Sequence, residues 1–334
     1  MPHSNISVFV PNIGCPNMCS FCNQHIISGS EAAPTPSDVR RICTQALDEV
    51  SDRSNCEIAF FGGSFTAIPR DYMVSLLDAA NEFIGEGMFG GIRISTRPDC
   101  IDNEILTLLG HYRVTVIELG AQSMSDEVLA ANDRGHSSAD TIRSSELIKR
   151  RGFSLGLQMM VGLYKATPES DTETAKQIAA IKPDFVRIYP TVVLSGTKLD
   201  RLMRSGDYLP MTLDVGIALC ADLLLLFEAA EIPVIRLGLH ASDDVEGNMT
   251  GGLYHPAFRE LCENRIFLDI FTKAVRDIPP CEMTIHCAPS AVSKAAGQKR
   301  SNLLQLGRMG YRVKIIPDSR LSGRETEILF SDFV

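Results

Sequence analysis

The feature that most constrains this chain is an alternation. Between residues 6 and 231, short β-rich runs take turns with runs of helical periodicity. Residues 6–14 (ISVFVPNIG), 57–63 (EIAFFGG), 92–98 (IRISTRP), 114–123 (VTVIELGAQS), 153–163 (FSLGLQMMVGL) and 185–194 (FVRIYPTVVL) read as six strands. They are rich in β-branched and aromatic residues. Residues 37–50, 70–84, 102–110, 169–181 and 213–231 space their apolar residues as helices do, with Ser37 expected to cap the first. A strand–helix–strand rhythm pairs strands in parallel, because each crossover carries the chain back to the starting edge. The fold class expected is therefore α/β, a partial (β/α)6 TIM-like barrel. A doubly wound sheet is the alternative. Residues 1–240 are expected to form the barrel and residues 241–334 a small C-terminal α/β extension.

In a parallel barrel, chemistry gathers at the C-terminal ends of the strands. The polar residues that stand out fall there. A cysteine-rich loop follows the first strand, GGSFT (62–66) ends the second and STRPD (95–99) the third. Glu118 and Gln122 lie on the fourth strand, Gln158 on the fifth, and Arg187 and Tyr189 on the sixth. Glu118 and Gln122 are four apart and so are expected on one face.

The cysteine loop, CPNMCSFC, sets Cys15, Cys19 and Cys22 within eight positions. Ten cysteines in a 334-residue chain with no basic, apolar leader at its start point to the reducing cytoplasm, with thiols free or metal-bound. No apolar run is long enough for a membrane span. Cys43, Cys100, Cys220 and Cys262 sit in apolar or helical settings and read as packing residues. Zinc in a structural site needs four ligands, which the three cysteines with His25 would supply. The competing reading is a [4Fe–4S] cluster on three thiolates, with its fourth iron open to another molecule. The crowding of every ligand into one loop favours the cluster.

CPNMCSFC, with Phe21 before its third cysteine, resembles the cluster motif of radical S-adenosylmethionine (radical SAM) enzymes. FFGGSFTAI, STRPDCID, ELGAQSMSDEVLAANDRGHS and RLGLH extend the likeness. They resemble the radical SAM core of the Elongator catalytic third subunit, which acts on the tRNA wobble uridine. A looser similarity reaches the oxygen-independent coproporphyrinogen oxidases. The resemblance implies that Cys15, Cys19 and Cys22 hold a [4Fe–4S] cluster and that its open iron takes the amino and carboxylate groups of SAM. One electron, from a donor such as flavodoxin or ferredoxin, then cleaves SAM to a 5′-deoxyadenosyl radical that abstracts hydrogen from a substrate.

On this likeness, Phe21, Gly62, Gly63, Ser64, Ser95, Arg97, Glu118, Gln122, Gln158 and Arg187 are the expected SAM contacts. Arg97 would pair with the carboxylate and the Gly62–Gly63 main chain would meet the amine. Ser64 stands where many relatives carry an acid. Arg97, Glu118, Gln122 and Tyr189 are the candidates closest to the chemistry, and His136, in the NDRGHS turn, is a candidate substrate contact. The sequence shows no glycine-rich pyrophosphate loop for acetyl-CoA. The acyl-transfer half of the Elongator reaction is therefore not expected of this chain.

Net charge is −9, yet residues 288–324 hold eight basic side chains and one acid. Residues 282–289 and 311–318 read as strands around a helix from about residue 290 to Gly310. Lys294, Lys299, Arg300 and Arg308 on that module are placed to grip phosphates, which makes tRNA a candidate partner. His286 and Cys287 are adjacent in a strand, face opposite ways and make no metal pair. Three functions stay open: a radical enzyme on tRNA or another nucleic acid, a radical enzyme on a small metabolite, and a non-catalytic metal-binding protein.

Overall fold

The computed structural model describes residues 4–11, 19–23, 32–239 and 243–331. Cys15 and His25 lie outside them. The described chain divides into two compact units, residues 1–212 with 226–254, and residues 213–225 with 255–334.

The first unit is built on one curled parallel sheet. Its strands are β1 (Ser4–Val10), β2 (Cys56–Gly62), β3 (Gly91–Thr96), β4 (Val114–Gln122), β5 (Ser154–Val161), β6 (Phe185–Pro190) and β8 (Val234–Leu237), in that spatial order. Neighbours in sequence are neighbours in space, so this is an open partial barrel and not a doubly wound sheet. Six of its strands coincide with the expected runs. The seventh, β8, is only four residues long and includes Arg236, too short and too mixed to show in a periodicity reading.

Helices α1 (Pro36–Glu49), α2 (Arg70–Asn81), α3 (Asn103–His111), α4 (Asp126–Ala131), α5 (Ser138–Arg150) and α6 (Pro168–Ile181) connect the first six strands. Their starts are written in the sequence. Thr35, not Ser37, caps α1, with Asp38 closing a reciprocal capping box and Pro36 in the first turn. Ser137 with Asp140 and Thr167 with Ser170 repeat the device on α5 and α6. Each helix buries an apolar stripe, such as Val39, Cys43 and Ala46 on α1.

The expected sixth strand, 185–194, breaks at Thr191. Its second part, β7 (Val192–Leu194), leaves the barrel sheet and pairs antiparallel with β9 (Met249–Gly252). Helix α7 (Lys198–Ser205) follows β7, and α9 (Asp243–Asn248) precedes β9. Helix α8 (Leu213–Ala229) carries residues of both units.

The second unit has a three-stranded sheet in the order β11 (Arg312–Pro317), β10 (Glu282–Cys287), β12 (Thr326–Ser331). β11 runs parallel to β10 and β12 antiparallel. Phe267 and Phe271 of α10 (Phe258–Ala274) pack on Met283, Ile285 and Cys287 of β10. The single helix expected over 290–310 is two, α11 (Val292–Ala296) and α12 (Ser301–Arg308). Lys299 and Arg300 between them take left-handed φ values of 52° and 63°. Asn302 holds that corner by donating to the carbonyls of Asn264 and Ala295.

Candidate functional site

Five neighbouring strands, β2 to β6, contribute one polar layer to the barrel interior. Glu57, Arg93, Glu118, Gln158 and Arg187 meet there. Arg93 bridges two carboxylates, with Nη2 at 2.7 Å from Glu57 and Nη1 at 2.8 Å from Glu118. Glu118 is fully buried and also accepts from Gln158 Nε2 at 2.8 Å and Arg187 Nη2 at 3.0 Å. Two carboxylates and two guanidiniums thus alternate and cancel, as buried charges must. Arg93 lies over the Phe185 ring and Arg187 over Phe61. Gly156 on β5 makes the room, since a Cβ there would meet the Phe185 ring at 2.3 Å and Glu118 Cγ at 3.0 Å.

Above this layer, at the C-terminal ends of the strands, a cleft of about 350 Å³ opens. One side is polar, with Cys19, Cys22, Ser64, Ser95, Arg97, Gln122, Arg134, Gln158 and Arg187. The other is apolar, with Phe9, Phe61, Met160, Val192 and Leu194. The structure therefore brings together nearly every residue singled out in the sequence, from segments more than 150 residues apart. Phe21, Gly62, Gly63 and Tyr189 border it too.

Glu118 does not border the cleft. Both of its oxygens are taken by Arg93, Arg187 and Gln158, so it braces the wall from behind. His136 is likewise off the wall: its Nε2 lies 3.2 Å from the Ala121 carbonyl. Burial, with Arg134 adjacent, pushes the imidazole down to about 4, so it is neutral at ordinary pH. Ser64 is buried. Its hydroxyl accepts from Arg97 N at 3.0 Å and lies 2.9 Å from Thr96 Oγ1, so it ties β2 to β3.

Gly62 answers to the fold as well as to the cleft. At φ 112° a side chain would be strained, and its Cβ would strike the Val10 carbonyl oxygen at 2.5 Å. Phe21 and Tyr189 both pack on the cluster of Val128, Met160 and Leu163, and both border the cleft. Burial pushes the Tyr189 phenol up, against the pull of Arg187.

Arg97 is 3% exposed and bound twice to Asp99, through Nε at 2.9 Å and Nη2 at 2.8 Å. Burial opposes its charge, but Asp99 overrides burial and holds the guanidinium above its usual range. Its third nitrogen, Nη1, is buried with no partner, as are Gln122 Oε1 and Arg134 Nε. These three residues line the cleft, and two donors and one acceptor among their buried atoms have no partner.

Arg134 escaped the sequence reading, which favoured His136 in the same turn. Its Nη1 donates to Cys19 Sγ at 3.1 Å and its Nη2 to the Gly120 carbonyl at 2.6 Å. Glu57 and Arg93 were also overlooked; charged residues inside otherwise apolar strands were the available signal. Cys22 N donates to Cys19 O at 3.1 Å, a turn that brings both cysteines to the cleft wall. Among the described residues no three His, Cys, Asp or Glu side chains are grouped to hold a metal ion; Cys15 and His25, the other expected ligands, lie outside them. Among the described residues no helix is long and apolar enough to cross a membrane.

The Radical SAM superfamily signature matches residues 9–178, and the radical SAM C-terminal domain matches 183–267. The tRNA uridine(34) acetyltransferase of Methanocaldococcus infernus is 32% identical over 46% of this chain and 33% of its own length. Elongator complex protein 3 of Danio rerio is 30% identical over 63% of this chain and 41% of its own. The chain thus spans well under half the length of these two relatives. Among solved structures, an archaeal Elp3 from Methanocaldococcus infernus covers 81% of the chain at TM-score 0.60 and 22% identity, the chain covering 62% of it. Escherichia coli coproporphyrinogen III oxidase covers 68% at TM-score 0.50 and 18% identity, the chain covering 53% of it. These two share the fold.

Proposed function

From the premise that the chain belongs to the radical SAM superfamily of enzymes, we propose that its cleft holds a [4Fe–4S] cluster and SAM, and that its substrate is RNA. When bound, the reduced cluster supplies the electron that splits the SAM sulfonium and so generates the hydrogen-abstracting agent. Cys15, Cys19 and Cys22 would hold the cluster by three thiolates, the donor set that leaves one iron open. The observation that carries the reading is the position of Cys19 and Cys22 on the same wall as the unpartnered Arg97 Nη1 and Gln122 Oε1. Arg97, oriented by Asp99, would bind the SAM carboxylate through Nη1. Gln122, Ser95 and Gln158 would meet hydroxyls, while Phe21 and the apolar wall keep water from the reacting atoms. Glu118 would act at one remove, holding Gln158 and Arg187 in place.

The RNA part rests on two supports. Relatives are named for tRNA uridine modification. In the second unit, Lys294, Lys299, Arg300 and Arg308 have no carboxylate partner among the described residues, whereas Arg312, Arg320 and Arg324 pair with Glu282, Asp318 and Glu263. A basic surface left uncompensated attracts a polyanion.

The test is anaerobic reconstitution of the full chain. About four irons and four sulfides per chain are expected. Cys19→Ala should lose the cluster and SAM cleavage under dithionite while its circular dichroism stays unchanged. A lone zinc in the wild-type protein, or undiminished SAM cleavage by Cys19→Ala, would refute the reading.

A further inference from the structure

Among the described residues of the cleft, Arg134 is the arginine with no carboxylate beside it. It is 7% exposed. Arg97 has Asp99, Arg187 has Glu118 and Arg93 has two carboxylates. Arg134 has no carboxylate partner among the described residues; neighbouring Asp133 is paired to Lys198 at 2.6 Å. Its nitrogens meet a sulfur and a carbonyl oxygen, and Nε meets nothing. A buried guanidinium without an anion is costly, so the arrangement calls for negative charge beside it. The sulfur it touches belongs to Cys19.

Placement of the group is deliberate in the fold. The turn between α4 and α5 is held by Asp133 and Gly135 in left-handed backbone, φ 55° and 69°. The Arg134 amide donates to the Leu129 carbonyl at 3.0 Å, and the side chain reaches across β4 at Gly120. A Cβ on Gly120 would stand 3.3 Å from Arg134 Nη2 and 3.0 Å from Gln122 Nε2, so glycine keeps the passage open.

Resting on the reading that Cys19 binds a cluster, we propose that Arg134 is a positioning residue that sets the cluster's reduction potential. A cluster on three thiolates is anionic and gains one further negative charge on reduction, with no bond made or broken. A fixed positive charge and an N–H···S hydrogen bond both stabilise the reduced form more than the oxidised form, and so raise the potential. Arg134 would thereby make a demanding one-electron reduction easier.

The experiment is an EPR-monitored redox titration of the reconstituted full chain without SAM. It compares wild type with Arg134→Met, Arg134→Lys and Gly120→Ala, with iron content and circular dichroism alongside. Arg134→Met is expected to be about tenfold harder to reduce, which for a one-electron couple is about 59 mV more negative. Arg134→Lys should keep most of the wild-type potential, and Gly120→Ala should fall between. An Arg134→Met potential within about threefold of wild type in the reduction equilibrium overturns the proposal. So does loss of iron in all three folded variants, which would make Arg134 a strut for the loop alone. A wild-type chain without a cluster defeats the underlying reading; a loaded wild type beside an unshifted Arg134→Met defeats this inference alone.

Discussion

Glu118→Gln is the substitution that most directly tests how the site is supported. The carboxylate is 0% exposed, and its four close contacts all come from donors. Glutamine keeps the shape but removes the charge and turns one acceptor into a donor facing another donor. Arg93 still has Glu57 at 2.7 Å, whereas Arg187 loses its carboxylate. Breaking a buried ion pair from one side costs about 3–5 kcal/mol, which a domain with roughly 5–15 kcal/mol survives. With a urea slope of about 3 kcal/mol per molar for a chain of this size, the midpoint should fall by about 1 to 1.7 M. Far-ultraviolet circular dichroism is the suitable probe, because the chain has no tryptophan. Adding Arg187→Met removes the stranded charge and should restore most of the loss, since an apolar replacement of a whole buried pair is often neutral. A cost under about 1 kcal/mol for Glu118→Gln, or no recovery in the double variant, would refute the account of a charge-balanced layer.

Arg97→Ala should weaken SAM binding by about 10–100-fold, the worth of one charge-assisted hydrogen bond, with iron content unchanged; equal calorimetric affinity would remove its assigned role. Asp171 and His136 should make stability nearly flat from about pH 4.5 to 6.5. Burial pushes the Asp171 carboxyl up to about 7, so its contribution is present below the unfolded pKa and is lost as pH rises towards 7. His136, pushed down to about 4, contributes stability that is full above the unfolded pKa and is lost as pH falls through the folded one. Asp171→Asn keeps an acceptor for the Gly162 amide and should unmask the His136 slope. Stability then rises with pH by about 2 kcal/mol across that window; a flat urea midpoint in this variant would contradict it. Replacing Lys299 and Arg300 with Glu should weaken tRNA binding and flatten its log–log salt dependence by roughly two. An unchanged slope would exclude this corner as the phosphate contact.

The cysteine loop and the strand-end motifs were legible because each is local. A parallel barrel puts the end of every strand at the same rim, so a residue's place along its own strand already says whether it can reach the cleft. Ser95, Arg97, Gln122 and Gln158 reached it on that logic. Glu118 shares their strand-end address and is the register neighbour of Ser95, yet its carboxylate is taken up by Arg93 and Arg187 behind the cleft wall. What lies beside it across the sheet determines that it is consumed in ion pairs.

Taken alone, the sequence determined the strand–helix rhythm, the parallel pairing it implies and the rim that carries chemistry; it left a doubly wound order open and put the first helix cap two residues late, at Ser37 and not Thr35. What it determined follows from periodicity within a few residues. Only the tertiary structure decided which charges are spent and which are left over. Glu118 is neutralised by residues 25 and 69 positions away, and Arg134 meets Cys19 across 115. Charge compensation in a barrel interior depends on cross-strand register and on the space that glycines leave open, and neither is a property of a local stretch of chain.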